Sequence, residues 1–95
     1  MECNSLRYTR RAFERMFQRE ISPESVARII SKGKIISDYP NDQPFPSVLL
    51  LGFHEGRPVH VVVARDATEG DCHVVTVYCP DPVLWDETFE NRRAS

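Results

Sequence analysis

The chain has 95 residues, 41% apolar and 27% charged, which is enough for one two-layer core and too little for two, so residues 1–95 are read as a single domain. No run approaches the ~20 apolar residues of a membrane span, and Met1-Glu2-Cys3-Asn4-Ser5-Leu6-Arg7 lacks the apolar centre of a secretory signal, so a cytoplasmic protein with no membrane contact is expected. The formal net charge of −2 hides an uneven split: five arginines stand against two glutamates over residues 1–19, and seven carboxylates without Lys or Arg fill residues 66–91.

The first predicted element is a helix from about Ser5 to Glu20. Leu6, Ala12, Phe13, Met16 and Phe17 recur at steps of three and four and form its buried stripe, while Arg7, Arg11, Arg15 and Arg19 step by four along another side. Ile21-Ser22-Pro23-Glu24 then starts a second helix. Ser22 can cap the free amides, Pro23 suits the first helical position, Glu24 favours the positive helix end, and Ile21 can staple onto Val26. Val26, Ala27, Ile29 and Ile30 supply the apolar stripe, and Gly33 reads as a left-handed cap.

Beyond Gly33 the period falls from 3.6 to 2. Strands are predicted at 34–39, 47–53, 58–64 and 73–78, with a proline-bound loop at 40–46 and turns at 54–57 and 66–71. The 58–64 strand is apolar on both faces and belongs at the centre of a sheet. Pro80 and Pro82 end the last strand, and Leu84, Trp85, Thr88 and Phe89 outline a short closing helix. The expected fold is α+β: two N-terminal helices, a three- to four-stranded antiparallel sheet and a short C-terminal helix.

Chemistry-bearing motifs are sparse. No glycine-rich phosphate loop and no nucleophile elbow occur. Cys3, Cys72 and Cys79 are odd in number and unpatterned, which reads as free thiols. Cys79 lies six residues beyond His73, about 20 Å along a strand, so neither a metal nor another cofactor is expected. If the 66–71 turn closes symmetrically, His60 lies opposite Tyr78 and Val62 opposite Thr76. An imidazole and a phenol so placed are acid and base candidates for phosphodiester cleavage, with Arg15 or Arg57 neutralising the charge that builds on the phosphate. In RNA the 2′-hydroxyl supplies the nucleophile. The plain alternative is a half-buried His60 hydrogen-bonded to Tyr78 for structure alone. The arginine ridge divides the same way, between recognition of RNA or an acidic peptide and ordinary pairing of Arg11 and Arg15 with Glu14 or Gln18. Tyr39 and Phe45 in the proline loop can stack a base or simply pack over the sheet edge.

Several segments together resemble one small bacterial family. They are Ala12-Phe13-Glu14-Arg15-Met16, Ile21-Ser22, Gly33-Lys34-Ile35-Ile36-Ser37-Asp38-Tyr39-Pro40, Pro44-Phe45-Pro46-Ser47, Gly56-Arg57-Pro58-Val59-His60-Val61-Val62 and Thr76-Val77-Tyr78 with Pro80-Asp81-Pro82. The chain resembles domain of unknown function family 4258 over residues 6–93. That family is similar in fold to RelE- and BrnT-like toxins, which are ribonucleases, and its members often sit beside a zinc-ribbon antitoxin of the MqsA kind. The resemblance implies a toxin-type domain that binds RNA and cleaves it without a metal, with RNA and such an antitoxin as partners. His60, Tyr78 and Arg57 would be its catalytic set, and Arg11, Arg15, Arg19 and Thr76 its RNA contacts. Many members carry His where this chain has Arg11, which removes one acid–base candidate. The alternative is a non-catalytic protein interaction module.

Overall fold

The computed structural model describes residues 1–94. Its elements are β1 (Ser5–Tyr8), α1 (Arg10–Arg19), α2 (Pro23–Lys32), β2 (Lys34–Tyr39), β3 (Ser47–His54), β4 (Arg57–Arg65) and β5 (Asp71–Tyr78). The strands form one mixed sheet in the order β1-β5-β4-β3-β2, with β1 parallel to β5 and every other pair antiparallel. The α+β class stands, and β4 takes the central place its doubly apolar sequence calls for. The expected three- to four-stranded antiparallel sheet and closing helix do not.

The first correction lies at Ser5–Tyr8, which is a strand and not the opening turn of α1. Leu6 and Tyr8 point inward around an exposed Arg7, a period of two hidden beneath the arginine spacing. Thr9 ends the strand: its side chain accepts from the Ala12 amide at 3.1 Å, capping α1, and its hydroxyl donates to the Val75 carbonyl at 2.8 Å. Starting the helix at Arg10 limits its buried stripe to Ala12 and Met16, and Phe13 and Phe17 turn to the surface.

The second correction concerns residues 80–94, which form a strap of turns. The Asp81 carboxylate accepts from the Val83 amide and that of Asp86 from the Thr88 amide, so each aspartate ends a helix before it can propagate. A lone antiparallel bridge between Trp85 and Arg92 closes the strap on itself.

The second helix follows its sequence signals. Ser22 caps it by accepting from the Ser25 amide, and Val26, Ile29 and Ile30 are buried. Gly33 behaves differently from the expected left-handed cap, which occurs instead at Glu20 (φ 55°). Gly33 is extended, and a Cβ there would lie 2.4 Å from the Ile29 carbonyl oxygen and 2.8 Å from that of Leu51. It is glycine because α2 turns directly into the sheet.

Helices cover only one face of the sheet. Leu50, Val59, Val61, Val63, Cys72, Val74 and Val77 meet Ala12, Met16, Ile21, Val26, Ile29 and Ile30 to make the core. The β4–β5 hairpin has the expected register, His60 opposite Tyr78 and Val62 opposite Thr76, followed by a bulge that pushes Val75 outward.

Cys3 and Cys72 form a disulfide across 69 residues, leaving Cys79 as the thiol. The free-thiol reading therefore fails for two of three cysteines, and a reducing compartment loses that ground. The bond was invisible without β1, whose parallel register sets Leu6 beside Cys72 and returns the N-terminus to β5. Among the described residues no helix is long and apolar enough to cross a membrane.

Closing a loop of that length stabilises the folded state by roughly 4 kcal/mol in the chain-entropy picture. Reductant should therefore lower the urea midpoint substantially, and Cys3→Ser without reductant should reproduce the reduced wild type. An unchanged midpoint in both would show that β1 is held without the bond.

Candidate functional site

The face of the sheet away from the helices carries the candidate site, and the strand registers lay it out in three rows. The first runs Arg7, His73, Ala64, Ser47 and Tyr39 across all five strands. The second is Thr76, Val62, Leu49 and Ser37, and the third is Tyr78, His60, Leu51 and Lys34.

The outer rows are covered, and the middle row is the strip between the two covers, termed the trough, with Thr76, Val62 and Ser37 half-buried and Leu49 buried. Over the first row the 40–46 loop folds back, its Asp42 accepting a hydrogen bond from Ser47 and its Phe45 ring stacking on His73 at 5.5 Å and 12°. Beneath this loop is a cavity of about 380 Å³ whose floor includes Val62, Ala64 and Val75. Over the third row lies the C-terminal strap, fixed by Trp85 on His60, by Phe89 and by an ion pair of 2.7 Å between Lys34 and Glu90.

His60 is fully buried and both ring nitrogens are engaged. Nε2 lies 2.8 Å from the Phe89 carbonyl, which can only accept, so Nε2 carries the proton. Nδ1 is then the acceptor for the Tyr78 hydroxyl at 3.1 Å. The Trp85 ring meets the imidazole edge-on at 4.5 Å. Burial pushes the His60 pKa down, partly offset by the Phe89 carbonyl, and the ring stays neutral. His60 thus positions Tyr78 and has no open side for a substrate.

Tyr78 is half-buried and faces the trough. Burial raises its pKa, the nearby Tyr39 phenol raises it further, and the Arg92 guanidinium pulls the other way. Tyr78 therefore keeps its proton at neutral pH. Arg92 stacks over Trp85, 5.5 Å from the ring centroid. Tyr39 and Arg92 thus lie near enough to Tyr78 to act on its charge, and Thr76 stands two residues before it on the same face.

The arginines are placed elsewhere. Arg11, Arg15 and Arg19 ride on α1 in the helical layer, where Arg15 donates to Gln18 at 3.3 Å. Arg57 donates to the Arg19 carbonyl at 3.1 Å, on the helix side of β4 and favourably placed at the negative end of α1. His60, Tyr78 and Thr76 thus share one face, and Arg57 is held at the end of α1. Two contributors carried no motif of their own: Trp85 belongs to the segment read as a helix, and Arg92 lies beyond it. A second polar cluster lies on the helix side, where Ser25 donates to His54 Nδ1 at 2.6 Å and Glu55 lies 3.7 Å from Nε2. Ser25 is buried there, and the cluster ties α2 to β3. Among the described residues no group of three His, Cys, Asp or Glu side chains is placed to hold a metal.

Because the folded state lowers the His60 pKa, the unfolded chain takes up the proton first as pH falls through about 6.5. The His60 contribution is therefore intact above that pH and is lost progressively below it. Unfolding free energies should decline from about pH 7.5 to about pH 5, and His60→Gln should flatten the decline. Equal slopes for the two proteins in urea titrations would show that His60 is not desolvated.

No curated protein and no solved structure matches the chain. The profile of a domain of unknown function (DUF4258) matches residues 8–79, from the end of β1 to just past Tyr78, and takes in His60, Thr76 and the 40–46 loop. Cys3 and the strap with Trp85, Phe89 and Arg92 lie outside that span. With three-quarters of its length matched, the chain belongs to the DUF4258 family.

Proposed function

We propose that this is a toxin-type RNA-binding domain that lays a single strand across the trough of its open sheet face and cleaves it there. What supports the reading is that Tyr39 and Arg92 lie within electrostatic reach of Tyr78, beside the row Thr76–Val62–Leu49–Ser37. Phenol rings stack on unpaired bases, a guanidinium meets phosphate, and single-stranded RNA is the nucleic acid that offers both at once. The catalytic assignment shifts from the sequence-based one. Tyr78 is the proton donor, and His60 holds the phenol in place through Nδ1. As the adjacent 2′-oxygen bonds to phosphorus its proton passes to solvent water, and the bond to the 5′-oxygen breaks. The Tyr78 hydroxyl turns its proton from His60 Nδ1 to that departing oxygen, the phenolate left behind being reprotonated from solvent. Arg92 takes the charge-neutralising role expected of Arg15 or Arg57, since Arg15 lies on α1 in the helical layer and Arg57 is committed to the end of α1. The family resemblance adds a zinc-ribbon antitoxin as the partner.

A second reading has its own observation. The complete engagement of His60 leaves no general base in the trough, as suits a non-catalytic interaction module.

Purified protein incubated with a mixed-sequence oligoribonucleotide separates the two. Cleavage should leave a 2′,3′-cyclic phosphate. Tyr78→Phe should slow it at least 100-fold while changing RNA affinity less than about threefold, the range for loss of one proton-transfer group. Induction of the wild type in a bacterial host should arrest growth and degrade RNA, and Tyr78→Phe should do neither. Intact RNA at full soluble expression, with binding retained, favours the module, and absence of both binding and cleavage rejects the RNA reading.

A further inference from the structure

The cavity beneath the 40–46 loop has a makeup unlike that of the trough beside it. It is an apolar hollow of about 380 Å³, floored by Val62, Ala64 and Val75 and roofed by Pro44 and Phe45. One wall is an aromatic pair in parallel stack, Phe45 on His73, with planes inclined by only 12°. No Lys or Arg lines it, and its one carboxylate, Asp42, already accepts from Ser47. The Thr9 hydroxyl is likewise committed, donating to Val75 and accepting from Ala12. The remaining polar side chains are the Gln43 amide and the His73 imidazole, each offering a donor and an acceptor.

We infer that this cavity is a nucleobase pocket. An apolar floor and a stacked aromatic wall select a flat ring. The absence of Lys and Arg selects against an anionic ring, and an amide with an imidazole at the rim matches a ring edge that alternates donors with acceptors. A hydrocarbon ring would leave both rim groups unpaired as it displaced their water, and an anion would enter with no cation to meet it. The charged part of a nucleotide has a place outside the pocket. Arg7 stands in register with His73 on the same face, one strand further out, and is exposed. The base therefore seats under Phe45 with its phosphate directed to Arg7. The inference rests on the RNA reading only for the source of the base, since a free nucleotide and a residue of an RNA strand carry the same ring.

Nucleoside 5′-monophosphates, each of the four bases in turn, are titrated into isotope-labelled full-length protein, with ribose 5-phosphate as the base-free control. At least one nucleotide should shift the methyl signals of Val62, Ala64 and Val75 and the ring signals of His73, and ribose 5-phosphate should leave them in place. Phe45→Ala should weaken that binding at least fivefold, as loss of one stacking partner does. Val75→Trp, at an exposed bulge position that tolerates bulk, should block it by filling the cavity. A hexaribonucleotide arm assigns the source. Affinity at least tenfold above that of the mononucleotide, lost in Val75→Trp, makes the pocket a subsite for a strand, whereas equal affinity makes it a site for a free nucleotide. Shifts that ribose 5-phosphate reproduces, shifts that avoid the four named residues, or none from any nucleotide at about 5 mM would overturn the inference. RNA cleavage by the wild type together with no nucleotide binding to it overturns the pocket alone and leaves the RNA reading intact. Nucleotide binding without any cleavage does the reverse.

Discussion

The open face depends on one buried imidazole. His60 joins the centre of the sheet to the C-terminal strap through Phe89 and passes its second nitrogen to Tyr78, so a single neutral ring fixes both the cover and the phenol. A charged ring would reverse this bond, because protonated Nδ1 donates and the Tyr78 hydroxyl would have to turn its hydrogen away and accept. The apolar packing of Trp85 enforces that neutrality by keeping water away. Local stability and the orientation of the trough's proton donor are therefore one property.

The two layers divide the polar residues between different tasks. The helical side spends its polar groups on assembly: Thr9 and Ser22 on helix starts, Ser25 with His54 on joining α2 to β3, and Arg57 on the last turn of α1. The open side is bounded by two covers of unlike character, a proline-rich loop whose one charged group, Asp42, is tied to Ser47, and an acidic strap that presents Arg92. Between them the sheet offers hydroxyls and aromatic edges above an aliphatic floor. That division explains why Arg57 and His60, three residues apart in the chain, do not work together: successive residues of β4 alternate faces, and an interval of three separates them.

Local signals made the second helix, both hairpin turns and the His60–Tyr78 register legible from the residues, because each is set by caps, glycines and period within a short window. What stayed hidden was non-local or outvoted. β1 is four residues long, and its alternation of Leu6, Arg7 and Tyr8 also fits a helical stripe continuing into Met16. Without β1 there was no reason to join Cys3 to Cys72. In the strap, apolar spacing at Leu84, Trp85 and Phe89 mimicked a helix, and the aspartates at 81 and 86 settled the outcome by capturing amides two residues ahead. At the site, alternation identified His60 and Tyr78 as neighbours, yet burial of the ring came from Trp85, which no pattern within the strand contains.

The parallel pairing of β1 with β5 also sets an order of events during synthesis. The first strand to leave the ribosome finds its partner only among residues 71–74, after both helices and three further strands have emerged. Until then Leu6 and Tyr8 have no sheet to cover them, and Cys3 has no nearby sulfur with which to oxidise. The β2–β3–β4 meander, by contrast, is built from neighbouring segments and can close as it appears. Maturation is therefore late and abrupt: docking of β5 completes the sheet, recovers the N-terminus and creates the His60–Tyr78 contact in one step. A nascent chain of this protein carries neither its trough nor its covalent link until its final strand is out.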